Sequence, residues 1–158
     1  TMAKNKLSQD DLEHYRKHNI GQSLMEVARH FQRHAMDGFA AQGYTQLQMS
    51  HQAILTHLSL SGTRLTELAR RAAISKQAMG QLVDEVERMG FVERVQDPDD
   101  GRAKIVRFTP AGHVLMKAGT NVGTSVQQEY SALIGEKKMQ RLHDLLEELY
   151  QSIRKDQV

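Results

Sequence analysis

The chain has 158 residues, which suits about one domain with a modest core and room for an interface. Cysteine is absent, which excludes a disulfide framework, a thiolate metal site and a thiol redox switch. With 21 Lys and Arg against 19 Asp and Glu the net charge is only +2, so any surface for a polyanion has to be local.

The N-terminus, "TMAKNKLSQDD", lacks the apolar run of a signal peptide, and no later run approaches the length needed to span a bilayer. The chain therefore reads as cytoplasmic and without a membrane partner, with Thr1 ahead of Met2 as an added residue outside the fold. From Asp10 to about Gln42 the apolar residues Leu12, Ile20, Leu24, Val27, Phe31, Ala35 and Phe39 recur at helical spacing, with an interruption at Asn19 to Gly21. "QMSHQAILTHLSLSG" reads as a short helix closed by Gly62.

Next comes "RLTELARRAAISKQAMGQLVDEVERMG", which divides into two helices. Leu65, Leu68, Ala69 and Ala72 line one side of the first, and Ile74 and Ser75 end it. Ser75 caps a second helix whose predicted buried side is Ala78, Leu82, Val86 and Met89, with Gly90 as its C-terminal stop. The small side chains of Ala69 and Ala73 let the two helices cross closely, as a helix-turn-helix requires. The opposite face of the second helix, Lys76, Gln77, Gly80, Gln81 and Asp84, then stands free. Glutamine can bond base edges bidentately, lysine reaches guanine or phosphate, and glycine lets the backbone come close. From Thr63 to Leu82 four cations, Arg64, Arg70, Arg71 and Lys76, face the single anion Glu67, so the leading half is basic. The helix dipole aims the same end at phosphate.

"FVERVQ" and "AKIVRF" are β-branched and aromatic runs separated by the turn residues "DPDDGR", hence a hairpin, with Val106 and Phe108 on one face and Ile105 and Arg107 on the other. A hairpin directly after a recognition helix is a wing. Arg102 at its tip is the expected minor-groove probe, assisted by Lys104. Asp100 is expected to hold the wing in shape, accepting backbone N–H groups or pairing with Arg94 or Arg102.

Thr109 and Pro110 open a long helix, Gly135 breaks it, and Met139, Leu142, Leu146, Leu149 and Ile153 form a heptad-like seam that wants a partner helix. The fold class expected is mainly α: a winged helix-turn-helix with a β-hairpin wing and N- and C-terminal dimerisation helices. The divisions are 1–45 for the N-terminal dimerisation region, 46–110 for the DNA-binding domain and 111–158 for the long helix with the C-terminal dimerisation helix.

The segment "ELARRAAISKQAMGQLVDEVERMGFVERVQDPDDGRAKIVRFTPAG" resembles the MarR (multiple antibiotic resistance regulator) family of winged-helix transcription factors. It has that family's Leu-Ala helix, Ser-opened recognition helix, Asp-Pro-x-Asp wing and closing Thr-x-x-Gly, over about a third of the chain. The resemblance implies a homodimer on a pseudo-palindromic DNA operator, usually a repressor and often released by a small aromatic or phenolic effector. One departure is Gly101, which stands where the family commonly has the first arginine of an Asp-Arg-Arg triplet; Arg102 alone predicts a weaker wing contact.

For base readout the sequence nominates Gln77 and Gln81, for phosphate or base contact Ser75 and Lys76, and for phosphate Arg70. His30, Phe31, His34 and Phe39 are nominated from helix spacing as one wall of an effector pocket. His30 and His34, four apart, are also spaced to share a metal ion, with His51, His57 or His113 as further ligands. Without Cys or an HExxH-like arrangement no metal is expected, and no cofactor. There is no Gly-rich phosphate loop, nucleophile motif or isolated carboxylate pair, so no enzymatic activity is expected. The alternatives are a winged-helix module that contacts protein, and a constitutive DNA binder without an effector.

Overall fold

The structure, a computed structural model, describes residues 6–155; the readings of Thr1 and of the start of the N-terminus lie outside the described residues. Ser8 starts the first helix, α1 (Gln9–His18), with a reciprocal capping box: its hydroxyl accepts from the Asp11 amide at 3.0 Å while Asp11 accepts from the Ser8 amide. Asn19 is the expected interruption. It ends α1 and caps α2 (Ile20–Ala41), its side-chain oxygen accepting from the Gly21 amide. Only the second half of α2 buries side chains, Ala35 and Phe39.

A 3₁₀ turn (Met49–His51) leads into α3 (Gln52–His57), which stops at Leu58 in extended conformation rather than running to Gly62 as the sequence suggested. Gly62 instead turns the chain into β1 (Thr63–Arg64) with a φ of +91°, so close to the sheet that a Cβ would press on Ile105. This two-residue strand is too short to leave a periodic signal, and the sequence reading missed it.

The helix-turn-helix is α4 (Leu65–Arg71) and α5 (Lys76–Arg88). Ala69 is buried as expected, but Ala73 is not at the helix crossing; it is exposed in the turn, at a φ of +54° that favours glycine. Ser75 caps α5, its hydroxyl accepting from the Ala78 amide at 3.0 Å. The buried stripe of α5 is Met79, Val83 and Val86, with Ala78, Leu82 and Met89 half-buried at its margins. The expected stripe was thus rotated by about one residue, because α5 packs against α4 and the sheet together and centres on the line that faces both.

After Gly90 (φ +85°) come β2 (Val92–Asp97) and β3 (Asp100–Phe108). They pair antiparallel with Val92 opposite Phe108 and Asp97 opposite Asp100, and the sheet order is β1-β3-β2. Val106 and Phe108 face the core as the alternation predicted. Thr109 caps α6 (Pro110–Ile134), which crosses α2 at close range: a Cβ on Gly38 would collide with Val122. Gly135, at a φ of +90°, separates α6 from α7 (Glu136–Lys155), in which no residue is buried. The core gathers Ile54, Leu68, Met79, Val83, Val86, Val106 and Leu115 between the helix-turn-helix, the sheet and the start of α6.

Candidate nucleic-acid interface

Because α5 buries Met79, Val83 and Val86, it turns Lys76, Gln77 and Gln81 outward and leaves Ser75 exposed at its start. Gly80 lies on the same side with an open flank: a Cβ built there would meet nothing within 4 Å. Glycine inside a helix costs about 1 kcal/mol relative to alanine.

The trailing half of α5 is acidic, and the structure pairs part of that charge with a cation from the wing. Arg94 on β2 reaches across to Asp84 and Glu87, each at 2.8 Å, and donates to the Gly80 carbonyl at 3.0 Å, while its amide donates to Glu87 at 2.9 Å. One guanidinium thus fastens the wing to the recognition helix and offsets one of the two carboxylate charges it bridges. Of the alternatives the sequence left open for Asp100, backbone N–H groups or a pairing with Arg94 or Arg102, the structure takes the first. Among the described residues Asp100 accepts from the backbone amide of Arg102, at 3.0 Å, and the partners of Arg94 lie on α5.

The buried carboxylate at the wing base is Asp97, which is 4% exposed. It accepts from the Asp99 amide at 2.9 Å and from Arg64 at 2.5 Å, and so ties the hairpin turn to β1. The Asp99 amide, with Arg64 beside it, holds the Asp97 carboxyl below the usual carboxylate range. Sequence reasoning missed Asp97 because three aspartates of one turn look alike until the chain decides which faces inward.

Lys76, Arg102 and Lys104 come together, joined by Arg64 and Thr66, around a concavity of about 280 Å³ between wing and helix-turn-helix, with Asp100 as its acidic member. Arg64 was not nominated; its signal was position, one residue ahead of α4. Arg70 is exposed but engaged, donating twice to Glu67 at 2.7 and 2.9 Å. Arg71 binds the same carboxylate, and the two guanidiniums hold the pKa of Glu67 down to about 2. A further unforeseen element is His51, which is 1% exposed. Its Nδ1 accepts from the Gln48 amide, which leaves Nε2–H to donate to Glu85 of α5 at 2.6 Å. The imidazole therefore braces the recognition helix from behind.

The nominated effector wall is divided. His30 and His34 stack at 4.1 Å, and they bond Tyr130 at 2.8 Å and Glu129 at 3.1 Å respectively. Phe31 lies beside Tyr130, whose hydroxyl pKa is pushed up by burial and by Glu129. An apolar pocket of about 320 Å³ opens here, lined by Val27, His30, Tyr130, Leu133, Met139 and Leu142. Of the four nominated residues only His30 lines it; Phe31 and His34 lie alongside, and Phe39 is 7% exposed in the core, edge-on to Tyr44. Its place two turns beyond Phe31 carries it past the pocket and under the sheet lobe. Among the described residues no three His, Asp or Glu stand close enough to hold a metal ion, and no helix is long and apolar enough to cross a membrane. His51 and His113 have separate surroundings, the latter beside Phe108.

Residues 45–103 match the sequence model of the MarR family. The chain is 30% identical over 100 residues to the HTH-type transcriptional regulator FarR of Neisseria gonorrhoeae, a match spanning 61% of this chain and 66% of that relative. Its fold is similar to the crystal structure of MarR, with a TM-score of 0.75 at 19% identity, covering 87% of this chain and 98% of the other. It is similar also to CouR from Rhodococcus jostii RHA1, solved bound to p-coumaroyl-CoA, with a TM-score of 0.66 at 21% identity over 84% of this chain and 92% of the other.

Proposed function

The chain belongs to the MarR family of transcriptional regulators, and from that premise we propose that it is a homodimeric repressor in the cytoplasm, and not an enzyme. It binds an inverted-repeat operator in double-stranded DNA and is released by a small effector. The observation that carries the reading is the convergence of Lys76, Arg64, Arg102 and Lys104 on one concave surface beside the free face of α5. Gln77 and Gln81 read base edges there, Ser75 and Lys76 contact phosphate or base, and Gly80 admits the groove floor. Arg102 and Lys104 serve the wing, with Arg102 in the minor groove. Arg70 contacts phosphate once DNA competes with Glu67 for its guanidinium.

In this reading residues 1–45 and 111–158 form the dimer around the winged domain 46–110, which sets two recognition helices in successive major grooves about one turn apart. The support is the apolar seam of α7, where Leu142, Leu146, Leu149 and Ile153 remain substantially exposed. The effector, of an apolar and aromatic kind, enters beside His30, Phe31 and His34, where the pocket supplies an apolar body with the His30–Tyr130 pair at its wall. The p-coumaroyl-CoA of CouR agrees with an aromatic ligand class.

Selection of bound duplexes from a random pool tests the proposal: an enriched inverted repeat with half-sites about one turn apart is expected. Salt-sensitive binding without enrichment would instead favour a protein-contact module. On the enriched site Gln77→Ala should cost about 1–3 kcal/mol and little on random DNA. Equal losses on both would remove Gln77 from base readout.

A further inference from the structure

The glycine in the middle of the recognition helix meets no packing or backbone requirement among the described residues. We infer that Gly80 is a specificity-determining position: a notch in α5 that seats the 5-methyl group of a thymine in the major groove. This rests on the operator-binding reading and narrows it to one residue and one base.

Gly80 is not among the residues with positive φ, so its backbone conformation does not demand glycine. Nor does packing, since a Cβ there would meet nothing within 4 Å, whereas one on Gly38 or Gly112 would collide with Val122 or the Phe91 carbonyl. Glycine is nonetheless the least favourable helix residue after proline. Gly123 is equally open but lies on α6 and not on the free face of α5 that carries Gln77 and Gln81.

The notch has chemistry as well as shape. Gly80 lies on one stripe of α5 with Gln77 and Gln81, both exposed. Its carbonyl is occupied by Arg94 at 3.0 Å, so what remains to a visitor is C–H surface between two amide side chains. In the major groove the one apolar projection from a base edge is the methyl group of thymine, and glutamine is the side chain that matches adenine. Glutamine, notch and glutamine in succession therefore fit A·T pairs, with the notch over the thymine.

The test uses the full chain on its selected operator, with each half-site thymine replaced in turn by deoxyuracil, which lacks the methyl group. One such replacement should weaken wild-type binding by about threefold to tenfold. Gly80→Ala should bind the thymine operator about tenfold more weakly, regain affinity on the operator carrying that same deoxyuracil, and melt about 2–4 °C higher. Unchanged binding by Gly80→Ala, an equal loss on thymine and deoxyuracil, the absence of any deoxyuracil-sensitive position, or a lower melting temperature would each overturn the notch. If the wild type enriches no sequence, the operator reading itself fails; enrichment without a Gly80 effect overturns the notch alone.

Discussion

In the winged lobe Leu68, Met79, Val83, Val86 and Val106 are wholly buried, while α1 and α7 at the two ends of the chain bury no residue. The lobe satisfies its polar groups as thoroughly as its apolar ones: His51 has two partners, Asp97 two, and Arg94 bonds to two carboxylates and a carbonyl. The terminal helices instead leave large apolar side chains open, with Tyr15 of α1 and Leu145 and Tyr150 of α7 more than half exposed. The lobe is finished by its own chain. The ends have a pattern for burial that one protomer leaves largely uncovered among the described residues, which is the physical ground for proposing a second copy.

Four substitutions or conditions can break this contrast. The largest effect is expected in the lobe, where Leu68→Ala should lower unfolding stability by about 3 kcal/mol in urea titration, since Leu68 is 0% exposed. A loss under about 1 kcal/mol would mean that the lobe core is loosely packed. At the ends, Leu142→Glu combined with Leu146→Glu should produce a monomer in sedimentation and lower operator affinity about 10²-fold, as two half-sites are no longer bound as a unit. A double variant that stays dimeric would place the interface elsewhere.

Between the two in kind is the wing clamp. Arg94→Ala should leave Asp84 and Glu87 facing DNA without their cation and weaken operator binding about tenfold, more strongly at low salt. Intact affinity would show that the wing holds its place without the clamp. The smallest effect concerns pH. The carboxyl of Asp97 is held below its ordinary value, so its contribution to wing stability is complete above about pH 4 and is lost as pH falls through the lowered value. Hydrogen exchange of the β1 and β3 amides should therefore be alike at about pH 5 and 7 after correction for intrinsic rates, and faster below about pH 4. In Asp97→Asn that acid dependence should disappear, and its persistence would assign the effect to another carboxylate.

What was legible in the sequence was local. Ser75, Thr109, Asn19, Gly90 and Gly135 punctuate the helices where short-range chemistry places them, because a cap or a left-handed stop needs only its own neighbours. The outward residues of α5 were legible too, since a polar stripe opposite an apolar one is visible in spacing even when the apolar stripe is misplaced by one residue. Asp97, Arg64 and His51 were not, for each acquires its role from a residue at least 33 positions away, or from which side of a turn faces the core.

Sequence alone thus determined the winged helix-turn-helix with its Ser-capped recognition helix and hairpin, and the amphipathic ends, all of which follow from periodicity and capping. Tertiary structure alone decided that β1 joins the sheet, that Asp97 is the aspartate buried at the wing base, that Arg94 locks onto α5, and that Phe39 belongs to the core and not to the pocket. Each of these depends on long-range packing, which selects among chemically similar residues by where the chain places them.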